Sequence, residues 1–92
     1  MITVPGISAG DADVARSLLA TTADAAVSTG ARAAASGATR TGGLEAWTFQ
    51  RVEDVESLLA LLEDHRRHGA LGADKVHAVD RLIAKLTAAC RV

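Results

Sequence analysis

The chain of 92 residues is poor in the residues that usually hold small secreted domains together. Cys90 is the only cysteine, so no disulfide can form within the chain, and no cysteine framework indicates secretion. Trp47 and Phe49 are the only aromatic residues, and many of the remaining apolar residues are alanine, which buries little area. A single small domain of this composition has a thin core, and we expect oligomerisation to add stability.

The chain also lacks an excess of one charge and a long hydrophobic run. Ten basic and eleven acidic residues are interspersed, which gives a net charge of −1. This balance argues against duplex nucleic acid as the main partner and against a helix that lies on a membrane surface. No apolar run approaches the roughly 20 residues of a transmembrane helix, and the N-terminal MITVPGIS does not resemble a signal peptide. We therefore expect no membrane partner and a cytosolic compartment.

Three parts of the chain are predicted. Residues 1–9 form an extended N-terminal arm, because Pro5 and Gly6 interrupt regular structure there. The apolar side chains of Ile2, Val4 and Ile7 in this arm pack either on their own domain or on a neighbour. Residues 10–69 form a helix–hairpin–helix core, and residues 70–92 contain a C-terminal helix.

Three helices are predicted from hydrophobic spacing. The first covers 10–29, with acidic residues in its first turn and Gly30 as a stop. The second covers 52–68, where Val55, Leu58 and Leu62 recur with a helical period and the acidic start and basic end complement the helix dipole. The third covers 73–90, and its apolar residues alternate three and four apart. These positions are Val76, Val79, Ile83, Leu86 and Cys90.

The segment between the first two helices has two interpretations. A hairpin is predicted with strands at about 31–36 and 44–50, because glycine and threonine disfavour a helix and Trp47 and Phe49 would share one strand face. The alternative is one helix over about 43–68, although Arg51 interrupts its apolar seam. The first interpretation gives an α+β domain of three helices and one hairpin, and the second gives an all-α helical bundle.

The candidate chemical groups do not form a recognisable catalytic, cofactor or metal site. His65 and His68 have a spacing compatible with a shared metal, but no cysteine lies nearby to complete four ligands. The acidic residues at 53–56 are explained by the first turn of a helix. The glycine-rich SGATRTGG lacks the known phosphate-binding patterns. We therefore predict that the protein is not an enzyme. The expected core anchors are Trp47, Phe49, Val55, Leu58 and Leu62.

Three short motifs over residues 16–63 resemble the gpW-like head-to-tail joining proteins of tailed bacteriophages. The first is the T-G-A-R step at 29–32, which resembles the family's turn from its first helix into a strand. The second is the aromatic strand L-E-A-W-T-F at 44–49, and the third is V-E-D-V at 52–55, which resembles the start of the family's second helix. The Ala-rich first strand, the long glycine-rich loop and the helix at 73–90 depart from the family pattern.

This resemblance implies a non-enzymatic virion protein, assembled in the host cytoplasm, that forms a cyclic ring of identical copies at the connector between head and tail. The partners would be other copies, the portal, and tail or other neck proteins, with non-specific proximity to DNA. The candidate interface residues are Ile2, Val4, Ile7, Val76, Val79, Ile83 and Leu86. Arg32 and Arg40 are candidates for a DNA-facing lumen. The alternative function, tied to the all-helical fold, is a small interaction module such as an antitoxin, a chaperone or a secreted helical partner.

Overall fold

The computed structural model describes residues 1–22, 27–69 and 71–90. In chain order the described elements are β1 (Ile2–Ser8), α1 (Ala9–Ala20), α2 (Thr29–Ser36), β2 (Thr39–Thr41), β3 (Leu44–Phe49), α3 (Val52–His68) and α4 (Ala73–Cys90). The predicted α+β class is confirmed, with a three-stranded antiparallel sheet among the helices. The all-helical alternative is wrong because residues 44–49 form a strand rather than the start of a long helix.

The sheet has the order β1-β3-β2, with the aromatic strand β3 in the centre. Side chains alternate along β3, so Glu45, Trp47 and Phe49 face the core while Leu44 and Thr48 face outward. The hairpin between β2 and β3 turns through Gly42 and Gly43, with φ of 60° and 80°. Two successive positive φ angles suit the right-handed twist of a hairpin, and glycine adopts them without steric cost.

The predicted N-terminal arm is a full strand of this sheet. Val4 pairs with Trp47 and Ile7 pairs with Glu45, so β1 has one more residue than β3 in this interval. The extra residue forms a bulge at Pro5 and Gly6, where Gly6 has a φ of 73°. This bulge explains why the predicted arm is a strand, because it lets the strand continue across Pro5 and Gly6, which usually end one.

The predicted first strand at 31–36 is wrong, because these residues belong to α2. The Ser28 side chain accepts a hydrogen bond from the Ala31 backbone N–H and begins the helix. The alanine-rich sequence that follows favours a helix, which ends at Ser36 with Gly37 as its C-cap. Gly30 therefore lies inside a helix rather than after one. The predicted first helix over 10–29 ends early, at Ala20, and positions 23–26 of that prediction lie outside the described residues.

The last two helices have the predicted bounds and pack against each other as an antiparallel pair. Arg66 near the end of α3 forms an ion pair with Asp80 near the start of α4. At the opposite end, Cys90 at the end of α4 lies close enough to Glu56 for this carboxylate to raise the pKa of its thiol, in addition to the larger effect of burial. Arg66 lies beside Asp80 and Glu56 lies towards Cys90, so the two helices run in opposite directions.

The hydrophobic core lies between the sheet and the helices. Trp47 and Phe49 of β3, and Val55, Leu58 and Leu62 of α3, have no exposed surface. The other helices contribute mostly small or branched aliphatic side chains, namely Ala12, Ala15, Leu18, Leu19, Ala31, Ala34, Ala35, Val79, Leu82 and Leu86. The two rings therefore supply the largest buried volumes in a core that is otherwise aliphatic.

Candidate functional site

A buried carboxylate, Glu45 on β3, is the centre of a polar cluster on the core side of the sheet. Its side chain is only 1% exposed. Arg16 of α1 donates hydrogen bonds to both carboxylate oxygens, and Arg40 of β2 donates through Nε and Nη2 at 3.1 and 2.6 Å. The Trp47 indole Nε1 donates to Oε1 at 3.0 Å. One carboxylate therefore joins α1, β2 and the central strand.

Arg16 extends this cluster to a further helix. Its Nε and Nη2 donate to the Ala35 carbonyl oxygen in α2, at 3.2 and 3.1 Å. Its guanidinium carbon lies 5.7 Å from the centroid of the Trp47 ring, within the range of a cation–π contact. The position of α2 is thus fixed by the same side chain that neutralises Glu45.

The charges in this cluster shift the acidity of its members. The hydrogen bond from Arg16, with smaller contributions from Arg40 and Trp47, outweighs the effect of burial and lowers the pKa of Glu45 from 4.5 to about 2. The same pairing raises the pKa of Arg16. Glu45 is therefore ionised at neutral pH and cannot act as a proton donor there. The cluster is suited to holding elements together rather than to acid–base chemistry.

A second buried carboxylate, Asp11 in α1, connects the N-terminal part of the fold to α4. Arg81 of α4 donates to its two oxygens at 2.9 and 2.7 Å. This hydrogen bonding is the main cause of the lowered pKa of Asp11. The backbone N–H of Asp11 donates to Oγ of Ser8, which is the N-cap of α1. The start of α1 is therefore fixed by its cap and by α4 together.

The T-G-A-R and V-E-D-V motifs contact each other in the fold. Oγ of Ser28, immediately before the first motif, donates to Oδ1 of the buried Asp54 at 2.9 Å. The backbone N–H of Ser28 donates to Oγ of Ser57 at 2.9 Å. A Cβ added at Gly30 would lie 2.1 Å from Oδ2 of Asp54. A methyl group at position 30 would therefore displace the Asp54 carboxylate, because the first turn of α3 packs directly on the first turn of α2.

The two arginines predicted to face a DNA-filled lumen both have structural contacts. Arg32 donates to the carbonyl oxygens of Leu19 and Thr22 at 3.0 and 2.9 Å, so it binds the last turn of α1 and the residues that directly follow this helix. Arg40 is bound to Glu45. The sequence did not indicate these structural contacts of the two arginines. A role for either residue beside DNA stays a prediction.

The predicted interface residues fall into two groups. Four of them are at most 2% exposed and pack in the core of their own chain: Val4, Ile7, Val79 and Leu86. These four are corrected from interface to core residues, because a side chain that is buried within one chain cannot contact a second copy. The other three are half-buried, namely Ile2, Val76 and Ile83. For them an interface stays a prediction.

Two surface features contain none of the predicted interface residues. The outer sheet face consists of the outward side chains Thr3, Thr39, Thr41, Leu44, Ala46 and Thr48. The α1–α2 groove is a shallow cleft of about 200 Å³ lined by Arg16, Leu19, Ala20, Arg32, Ala35 and Ser36. Leu44 is 49% exposed and is one of two large hydrophobic residues, with Met1, that the described structure leaves exposed.

Neither a metal-binding cluster nor a membrane-spanning helix occurs among residues 1–22, 27–69 and 71–90. No group of three or more histidine, cysteine or acidic side chains in these ranges has a geometry that could hold a metal ion. In the same ranges, no helix combines the length and apolar character needed to cross a membrane. Comparison of the chain with protein-family models, with curated proteins and with solved structures finds no match.

The lowered pKa of Glu45 predicts a loss of stability in acid. Since its pKa is lower in the folded state than in the unfolded state, the stabilisation is complete above about pH 5 and is lost as the pH falls towards 2. The shift corresponds to about 3 kcal/mol of unfolding free energy. Urea unfolding at about pH 6 and about pH 2.5 measures the loss. The Glu45→Gln variant has no carboxylate at this position, so the difference in unfolding free energy between wild type and variant should shrink in acid. A difference that stays constant with pH would contradict the lowered pKa of Glu45.

The contact between Gly30 and Asp54 predicts opposite effects for two similar substitutions. Gly30→Ala should destabilise the domain by about 1–3 kcal/mol, because the new methyl group displaces the Asp54 carboxylate from its hydrogen bond with Ser28. Gly10→Ala in α1 is the matched control, since a Cβ there meets no atom within 4 Å. It should be neutral or stabilise by up to about 1 kcal/mol. Thermal or urea unfolding measures both. Equal effects at the two positions would refute the contact.

Proposed function

We propose that the protein is a non-enzymatic assembly protein of a tailed bacteriophage, which acts as a subunit of the ring at the head-to-tail connector. Its partners are then other copies of itself, together with the portal and with tail or other neck proteins. It would be a component of the virion, assembled in the host cytoplasm, with only non-specific proximity to DNA. No catalytic step is assigned to it.

The observation that carries this proposal is the contact between the two motifs that flank the hairpin. Gly30 of the first motif and Asp54 of the third are 24 positions apart in sequence, yet one packs against the other. The aromatic strand β3 of the second motif lies between them in the chain and supplies Trp47 to the core. The three short motifs that resemble the gpW-like family are thus parts of one packed unit, and this arrangement is what supports the proposal.

Other features of the fold differ from the family pattern. The T-G-A-R motif begins α2 instead of leading into a strand, and β1 adds a third strand to the hairpin. The helix α4 has no counterpart in the compact family fold. The likeness is therefore concentrated in the aromatic strand β3 and in the start of α3. The all-helical interaction module is not retained, because it depended on a helix through Trp47.

The proposed role needs a subunit whose faces keep a constant relation to each other, since a closed ring repeats the same contact between successive copies. In the fold, three buried carboxylates hold the elements in this constant relation. Glu45 fixes α1 and β2 to the central strand, Asp11 fixes α4 to α1, and Asp54 fixes α2 to α3. Assembly would then proceed by packing preformed surfaces rather than by folding new ones.

Deleting the gene from a phage that encodes the protein tests this role. We expect DNA-filled heads and separate tails in place of joined particles, observed by electron microscopy. Mass spectrometry of purified wild-type virions should detect the protein. Complementation with the wild-type gene, and with the conservative Gly10→Ala variant, should restore joined particles. Complete particles from the deletion strain, or virions that lack the protein, would overturn the proposal.

A further inference from the structure

Asp13 of α1 contacts the same two arginines that bind the buried Glu45. Its Oδ1 lies 3.5 Å from Nη1 of Arg16 and 3.9 Å from Nη2 of Arg40. These two nitrogen atoms also donate to Oε2 of Glu45, at 3.1 and 2.6 Å. The arginine pair, Arg16 and Arg40, therefore has an inner carboxylate that is bound closely and an outer carboxylate that is bound loosely. We call the location of the Asp13 carboxylate the outer position.

The outer position has hydrogen-bond donors that Asp13 uses poorly. Each terminal nitrogen of a guanidinium group carries two N–H donors, so one donor of each nitrogen remains after its bond to Glu45. Charge-assisted N–H···O bonds are normally about 2.7–2.9 Å long, and both distances to Asp13 are longer. The Asp13 side chain is also 71% exposed, whereas that of Glu45 is 1% exposed. A carboxylate that is not tethered to α1 can therefore bind the arginine pair more closely than Asp13 does.

The arginine pair is held in place without the help of Asp13. Glu45 accepts hydrogen bonds from both guanidinium groups, and the Ala35 carbonyl oxygen accepts two more from Arg16. Side chains fixed in this way lose little conformational entropy when they bind a ligand. The pair carries two positive charges and Glu45 carries one negative charge, so one positive charge remains for the outer position. The matching ligand is a singly charged carboxylate.

We propose that the outer position is a binding site for a carboxylate side chain of a partner protein, and that Asp13 occupies this site in the free chain. The partner's carboxylate replaces Asp13, which turns into solvent while the bonds to Glu45 stay intact. Asp13 is suited to leave, because an exposed ion pair within one helix contributes little to stability. Both arginine side chains are partly exposed, so the site is accessible from solvent.

A carboxylate fits this site better than the phosphates of DNA. Duplex DNA is bound by broad basic surfaces, whereas the site has one pair of arginines on a chain with a net charge of −1. In the proposed connector, the carboxylate would belong to a portal or neck protein, and that assignment rests on the proposed function. The site itself is a property of the isolated chain.

A substitution that removes the internal occupant tests the site. Asp13→Asn keeps the size of this exposed side chain, so the fold is retained. A short glutamate peptide with blocked ends is titrated into the isotope-labelled chain at constant ionic strength, and the Nε–H signals of Arg16 and Arg40 are followed by NMR. Binding to the variant should be saturable in the millimolar range and at least about fivefold tighter than to wild type. An occupant lowers the apparent affinity by the fraction of time for which the site is free.

Asp74→Asn on α4 is the matched control, because it removes the same charge from another exposed position. It should bind the glutamate peptide like wild type, and a glutamine peptide of the same length should shift neither arginine signal. Equal affinity in the Asp13→Asn and Asp74→Asn variants overturns the proposal, as does the absence of a saturable shift in Asp13→Asn. Tighter binding of a short DNA duplex than of the glutamate peptide also overturns it. These outcomes are independent of whether the protein occurs in virions, so the two proposals fail separately.

Discussion

The ionised carboxylate of Glu45 has to be neutralised inside the domain, and much of the fold is arranged around this requirement. An unpaired charge at this depth would cost several kcal/mol, since burial removes its hydration. Arg16, Arg40 and Trp47 all direct donors to it. Since Arg16 also binds the end of α2, the path of the chain from α1 through the hairpin follows from this one group.

Two other buried acids also connect elements that are distant in sequence. Asp11 accepts hydrogen bonds from Arg81 of α4, and Asp54 accepts one from Ser28 at the start of α2. A core of mainly alanine, leucine and valine with two aromatic rings has few distinctive side-chain shapes that would define one packing arrangement. Buried charges need specific partners at specific distances, and here they supply positions that aliphatic packing would leave open. Removal of one partner from such a pair would leave a buried charge uncompensated, which is strongly destabilising.

Parts of the fold follow directly from local sequence. The apolar spacing predicts 52–68 and 73–90 at their observed bounds, and the Trp47–Phe49 alternation predicts β3. The same alternation places Glu45 on the buried face, which was the available signal for the central cluster.

The segment 31–36 was mispredicted because a helix of eight residues has little intrinsic stability, and its start depends on Asp54, which is distant in sequence. Pro5 argued against a strand at β1, because the bulge that accommodates Pro5 depends on pairing with another strand and has no local sequence signal. The α1–α2 groove, formed by two helices in space, has no local signature.

The proposed function uses the surfaces of a preformed domain rather than a pocket. A rigid domain of this kind requires strong interactions in the central cluster. A double-mutant cycle with Arg16→Gln and Glu45→Gln measures its coupling energy most directly. We predict more than about 2 kcal/mol, because Glu45 is buried and both of its carboxylate oxygens accept hydrogen bonds from Arg16. The exposed pair of Arg66 and Asp80 is the reference cycle and should give a clearly smaller value. A coupling between Arg16 and Glu45 no larger than this reference would contradict the account.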